Sequence, residues 1–207
     1  MTPRVKTGSF SQVKAKEQSN ELLAFLTELM RLKSVPRIGW LLRGVRDVES
    51  VAAHTYGVAV IAMLLADLAR AAGRKVDPER VLRMALLHDL TEARTGDLPS
   101  TIKKYFGKKN VAEADDRIAD EIFAQLGPLA EEYRALWREY EHRQCLESKL
   151  VKAADKLDLL LQSLEYERGG AKSLDEFWET AEEDFERLGL GELIGDLVAA
   201  LRAARPA

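Results

Sequence analysis

Three places in this chain carry residues of the wrong type for their surroundings. His54 is followed by Val58, Ile61, Ala62 and Leu65 at four, seven, eight and eleven positions, which puts it on the apolar stripe of a helix. His88 follows Val81, Met84 and Ala85 at seven, four and three positions, again on an apolar stripe, and Asp89 comes next. Asp155 is set among Val151, Ala154, Leu157, Leu159 and Leu161. A carboxylate in such company costs on the order of several kcal/mol if buried, unless it is paired or bound to a metal. Imidazoles and carboxylates converging at helix interiors are ordinary ligands for a divalent transition metal. Each has a plainer reading by itself: a hydrogen-bonded core histidine, a chance His-Asp pair, an aspartate paired with Lys152 or Lys156. The ordered set, with its local sequence, shifts the balance toward a metal site.

The elements that must position these residues read as helices almost throughout. Leu22, Phe25, Leu26, Leu29 and Met30 recur at three- and four-residue intervals. Pro36 and Gly39 interrupt that stripe, and a long helix follows from about Ser50 to Ala72, with Gly73 as its C-terminal cap. Asp77-Pro78 is an N-cap with proline at the first helical position, opening a helix to about Leu90. The stretch 91–107 holds Gly96, Pro99 and Gly107 and reads as an irregular loop with room for one short helix. Helices resume near 109–126, 129–143, 145–167, 174–187 and 191–204, with stops at Gly169-Gly170 and 189–191. No alternating strand pattern of four or more residues and no internal repeat stands out. The expected fold is all-α and single-domain. Residues 1–19 are expected to form a flexible arm, and 20–204 the domain, ending in packing helices.

The chain of 207 residues suits one domain. With 46% hydrophobic and 31% charged residues it can fill a core without disulfides. Lys plus Arg is 31 against 34 for Asp plus Glu, a net charge of −3 that argues against bulk attraction to a nucleic-acid polymer or an anionic membrane. A small anionic substrate held by two or three local cations stays compatible with it. The single cysteine, Cys145, points to a reducing compartment, and the polar start of the chain is not a secretory signal. Unbroken apolar runs fall far short of a membrane span. A cytoplasmic protein is expected. His142 reads as a surface histidine rather than as part of a second metal site with Cys145, and 103–109 with its four lysines as a rim or lid. The stripe Leu193, Ile194, Leu197, Val198 and Leu201 reads as a packing or dimer helix.

The local sequence around the metal candidates is distinctive. Val35-Pro36-Arg37-Ile38-Gly39-Trp40, Arg43-Gly44-Val45 and Glu49-Ser50-Val51-Ala52-Ala53-His54 are followed in order by Leu87-His88-Asp89-Leu90-Thr91-Glu92-Ala93, Gly96-Asp97-Leu98-Pro99 and Ala154-Asp155-Lys156-Leu157. Over residues 20–165 this resembles the 5′-deoxynucleotidase branch of the HD-domain phosphohydrolases. The resemblance implies an all-α helical bundle with one divalent ion (Mn, Co, Mg or Zn) held by His54, His88, Asp89 and Asp155. It implies that Glu92 activates water, that Asp97 lies near the sugar and the attacking water, and that Trp40 packs against the sugar and disfavours a 2′-hydroxyl. Some members carry arginine immediately before that tryptophan. Here Gly39 stands in that place and Arg37 is the nearest cation.

On that reading the substrate is a deoxyribonucleoside 5′-monophosphate, and the chain forms a homodimer or a higher homo-oligomer. Coordination lowers the pKa of a bound water, and Glu92, four residues after His88, can handle its proton if the helix ends nearby. Arg37, Arg43, Arg94, Lys103 and Lys156 are the nominees for the phosphate oxygens, with Arg37 and Lys156 foremost. Two other readings compete. One is another HD hydrolase acting on a phosphodiester or a nucleotide polyphosphate. The other is a non-catalytic binding module with a structural metal, against which the extra carboxylates Glu92 and Asp97 weigh.

Overall fold

Helix-forming runs separated by glycine and proline stops fold into a bundle with no strand among the described residues. The computed structural model describes residues 10–179 and 181–206. In chain order the helices are α1 (Phe10–Leu29), α2 (Ile38–Leu41), α3 (Val51–Ala71), α4 (Pro78–Leu87), α5 (Glu92–Thr95), α6 (Ser100–Phe106), α7 (Lys108–Ala124), α8 (Ala130–His142), α9 (Leu146–Arg168), α10 (Asp175–Glu179), α11 (Ala181–Arg187) and α12 (Gly191–Ala203). Helix α1 begins inside the segment read as an arm, so its second half is helical, while residues 1–9 lie outside the described residues. The stretch 91–107 forms two short helices rather than one.

The caps are those the sequence signals. The Ser50 side chain accepts from the Ala53 amide at 3.2 Å, and the Asp77 side chain accepts from the Arg80 amide at 3.2 Å ahead of Pro78. Gly73, at φ +79°, closes α3 in the left-handed conformation that glycine reaches without strain. Helix α3 lies at the centre, packed along α9 and across α4, and α8 closes the open side of α4 and α9. By length and apolarity α3 could cross a membrane. Its place is the middle of the core, where Val51, His54, Val58, Ala62, Leu65, Ala66 and Ala69 are all buried.

Two features hold the site's surroundings. An isolated antiparallel bridge joins Pro36 to Ser50; the Arg37 amide donates to the Glu49 carbonyl at 3.0 Å and the Val51 amide to the Val35 carbonyl at 2.9 Å. The segment bearing Arg37 is thereby pinned to the start of α3. At the other end of the chain, buried Trp178 of α10 donates to the Ser163 hydroxyl of α9 at 3.0 Å, and the Arg205 guanidinium lies over its ring. Loss of that indole leaves a cavity and an unpaired serine. Trp178→Ala is expected to lower unfolding free energy by about 3–5 kcal/mol, read by urea denaturation of the full chain.

Candidate metal centre

Helix α4 stops at Leu87, so His88 and Asp89 sit at its end rather than in its interior, and the chain turns through Leu90 and Thr91 into α5. Both histidines are buried, His54 1% and His88 3% exposed. The Nδ1 of His88 lies 2.8 Å from the Ala85 carbonyl and can only donate to it, which leaves Nε2 with its lone pair free to face outward from α4. Nδ1 of His54 lies 2.7 Å from Asp158 Oδ2, with the same consequence for its Nε2. Neither Nε2 has a hydrogen-bond partner.

Both bare nitrogens face the same carboxylates. His54 Nε2 is 3.3 Å from Asp155 Oδ1 and 3.7 Å from Asp89 Oδ2, and His88 Nε2 is 3.2 Å from Asp89 Oδ2. Ligand atoms about 2.0–2.2 Å from a common tetrahedral or octahedral ion are themselves roughly 3–3.5 Å apart. His54, His88 and Asp155 form a group whose ligand atoms could share one ion, with Asp89 alongside. Glu49, His54 and Asp158 form a second such group. There the Nδ1–Oδ2 distance is that of a direct hydrogen bond, which makes that group a support for the imidazole rather than a second cage.

The charges around the cage are balanced by two cations. Arg37 Nη1 lies 3.4 Å from Asp89 Oδ2 and 3.6 Å from Asp97 Oδ1, while Lys152 bonds Asp155 Oδ2. Burial works to raise both aspartates, but His88 and Arg37 beside Asp89, and Lys152 and His54 beside Asp155, hold them well below the usual carboxylate range. Burial and the Arg37 charge oppose protonation of His54, yet the carboxylates of Asp155 and Asp158 beside its two nitrogens outweigh them and push it up to about 10. Without a cation in the cage, the site draws in a proton.

Two cavities adjoin this centre. A polar one of about 130 Å³ is lined by His88, Asp89, Glu92, Tyr140, Arg143 and Lys152, among others. Glu92 therefore does stand beside His88 and Asp89, brought there by the turn that ends α4. The second, of about 170 Å³, lies between Arg37, Trp40, Arg43, Asp97, Leu159 and Phe177. Asp97 follows Gly96, whose φ of +70° would strain any side chain, and its Oδ2 accepts from the Ile38 amide at 2.8 Å. An apolar groove of about 460 Å³ lies between α1, α3 and α4, and none of these groups lines it.

The structure sorts the nominated residues. His54, His88, Asp89, Asp155, Glu92, Asp97 and Arg37 come together. Trp40 borders the second cavity but is only 1% exposed, its Nε1 donating to Glu49 Oε1 at 3.0 Å and its ring against Phe177 and Tyr166. Phe177 therefore shares with Trp40 the wall of that cavity. Arg43 lies over the Phe177 ring and bonds Glu176. Lys156 is turned away: its ammonium is 3.1 Å from Asp184 of α11. Arg94 is held by Glu28 and Glu121, and the Lys103 side chain lies outside the described ones. His142 is exposed, and Cys145 caps α9 by accepting from the Ser148 amide. Sequence reasoning passed over Asp158, Glu49, Lys152 as a site residue, and Phe177. The signals were an aspartate one turn after Asp155, a lysine one turn before it, and a glycine at position 57 inside a helix.

The HD-domain family model matches residues 29–188. The chain is 40% identical over 152 residues to the 5′-deoxynucleotidase HDDC2 of Xenopus laevis, covering 70% of this chain and 69% of that protein. Among solved structures, the PH0347 protein of Pyrococcus horikoshii superimposes with a TM-score of 0.79 at 37% identity, over 88% of this chain and 99% of that one. A protein of Magnetospirillum magnetotacticum described as a predicted metal-dependent phosphohydrolase superimposes with a TM-score of 0.65 at 29% identity, over 93% and 98%. The chain belongs to the HD-domain family, and its paired histidines and aspartates are the kind of cluster that can hold a metal ion.

An ion bound only by the folded state stabilises it by mass action, about 2.7 kcal/mol at a hundredfold excess over Kd. Added Mn²⁺ or Zn²⁺ is expected to raise the melting temperature of the full chain, and His88→Ala and Asp155→Ala should abolish that rise. A metal-induced rise of parental size in both variants would remove the cage.

Proposed function

We propose that this chain is a metal-dependent 5′-deoxynucleotidase, releasing phosphate from deoxyribonucleoside 5′-monophosphates. The observation that carries the reading is the junction at Asp89. A cage of His54, His88, Asp89 and Asp155 stands beside the carboxylate of Glu92, and Arg37 links it to a second cavity that mixes aromatic and apolar groups with Arg43 and Asp97. The 5′-deoxynucleotidase of Xenopus laevis, similar over more than two thirds of both chains, supports the substrate class.

A divalent ion bound to these ligands supplies positive charge for phosphate oxygens and makes a coordinated water more acidic. The protein's own groups do the rest. Glu92, lining the polar cavity with His88 and Asp89, receives the proton of the attacking water. That proton passes to the 5′ oxygen as the P–O bond breaks, giving phosphate and deoxynucleoside. Arg37 keeps donor capacity for a phosphate: its contacts to Asp89 and Asp97 are long for charge-assisted bonds, and its Nε is buried without a partner. Its pKa lies above even the usual arginine range: burial works to lower it, and Asp89 and Asp97 overcome that. On the opposite side of Asp155, burial disfavours the charged Lys152, but the Asp155 carboxylate keeps it protonated. Trp40, Leu159 and Phe177 offer the sugar apolar surface, the one polar atom of the Trp40 ring being engaged by Glu49, in a cavity that Arg43, Asp97 and Thr101 also line.

The single, half-buried Cys145 supports a cytoplasmic setting. A homodimer is supported by the apolar groove between α1, α3 and α4, around which Leu26, Met30, Tyr56 and Leu86 are exposed. Light scattering on the full chain should give twice the monomer mass, and Leu86→Glu should return it to monomer.

Two kinetic outcomes test the activity. Glu92→Gln should cut kcat on the order of 10²–10⁴-fold while keeping the bound metal; near-normal kcat would transfer the proton role to Asp97. The unmutated protein should hydrolyse dAMP with a higher kcat/KM than AMP. Equal values would remove the deoxy preference and leave the phosphatase reading standing.

A further inference from the structure

The two imidazoles of the cage are held in different ways. His88 donates from Nδ1 to a neutral carbonyl three residues back on its own helix. His54 is instead gripped from both sides by α9. Asp155 Oδ1 stands 3.3 Å from Nε2, and Asp158 Oδ2, one helical turn later, stands 2.7 Å from Nδ1. Its ring angle is therefore set by the register of α3 on α9, 104 residues apart in sequence.

That approach needs space on α3. Gly57 is three residues after His54, on the same face, and a Cβ built there would fall 2.9 Å from Asp158 Cγ and closer still to Oδ1. Glycine inside a helix costs up to about 1 kcal/mol relative to alanine, and nothing in the backbone of α3 requires it. The glycine is explained by the carboxylate that occupies its missing side chain. Glu49 adds a further link. Its carboxylate stands with His54 and Asp158 in one cluster, ligand atoms within 4.8 Å of each other, while accepting from Trp40 Nε1. The groups that orient the imidazole thus also tie it to the wall of the second cavity.

We propose that Asp158 is a positioning residue of the metal centre, fixing His54 with its proton on Nδ1 and its Nε2 lone pair toward the ion, and that Gly57 is the notch that admits it. The inference rests on the cage proposed above. Asp158 touches neither the ion nor the substrate. Its effect is on metal affinity, because carboxylates that orient a ligating imidazole typically contribute about 10–100-fold to binding.

The test uses the full metal-free chain and Zn²⁺ alone, titrated against a chromophoric chelator below the melting temperature of each variant. Asp158→Ala should weaken Zn²⁺ binding about 10–100-fold. Asp158→Asn, whose amide oxygen can still accept from Nδ1–H, should recover part of that loss, and Gly57→Ala should weaken binding by pushing Asp158 aside. A residue of merely structural importance would lower the metal-free melting temperature and leave the Zn²⁺ Kd of the folded protein unchanged. Binding by Asp158→Ala within twofold of the parent overturns the proposal, as does an Asn variant no better than the Ala variant. Should Asp158→Ala fail to fold, the near-isosteric Asn variant decides: threefold or more weaker binding than the parent supports the proposal, and less overturns it. A parent chain that binds no Zn²⁺ removes the cage itself, a result distinct from a parent that binds while Asp158→Ala binds equally well.

Discussion

The constraint on which the structure turns is electrostatic: two carboxylates and two imidazoles must face one another inside a helical bundle. Asp89 and Asp155 bring like charges into one pocket of low polarisability, where each group left unpaired would cost several kcal/mol on the order-of-magnitude scale. Arg37 stands on one aspartate and Lys152 on the other, and His54 rises toward its charged form between them. The pocket is thus built for positive charge. A divalent ion binding two carboxylates and two neutral imidazoles takes the place of the proton that His54 otherwise draws in.

The surrounding elements follow from that requirement. Ligands from three helices can meet only if α3, α4 and α9 share one core, and these three pack on one another more than on the rest of the chain. The end of α4 at Leu87 matters as much as its start. If the helix continued, Glu92 would lie one turn beyond His88 along a rigid axis. The turn instead folds it back, with its amide donating to the Asp89 carbonyl at 3.0 Å. The C-terminal helices are more than packing, because α10 carries Phe177 against Trp40 while Trp178 anchors that helix to α9.

Much of this was legible in the sequence. The helical period, the caps at Ser50 and Asp77, and histidines out of place on apolar stripes are local signals, each set within a few residues. The site's supporting groups were not, since Asp158 and His54 meet through an approach of two helices that no local pattern encodes. The choice between Lys152 and Lys156 was open to geometry alone. Three residues before Asp155 lies on the same helix face, whereas the next residue is turned about 100° away, and the structure shows Lys156 on Asp184 accordingly. Trp40 was read by its neighbours in sequence, but its burial is decided by Tyr166 and Phe177, more than a hundred residues later.

Where local preference and the fold disagree, function is the usual reason. Gly57 weakens α3 at its centre, and Gly96 places the chain in a conformation that only glycine adopts easily, directly before Asp97. Both concessions serve carboxylates that act through a neighbour: Asp158 through His54, and Asp97 through Arg37 and the Ile38 amide. Arg37 is in turn the one cation among the described residues that pairs with Asp89 and borders the second cavity as well. A phosphate held at the cage with its nucleoside in that cavity would pass directly beside this guanidinium. Gly39, with no side chain to compete, leaves the role to the residue two places earlier, which the bridge between Pro36 and Ser50 holds against the start of α3.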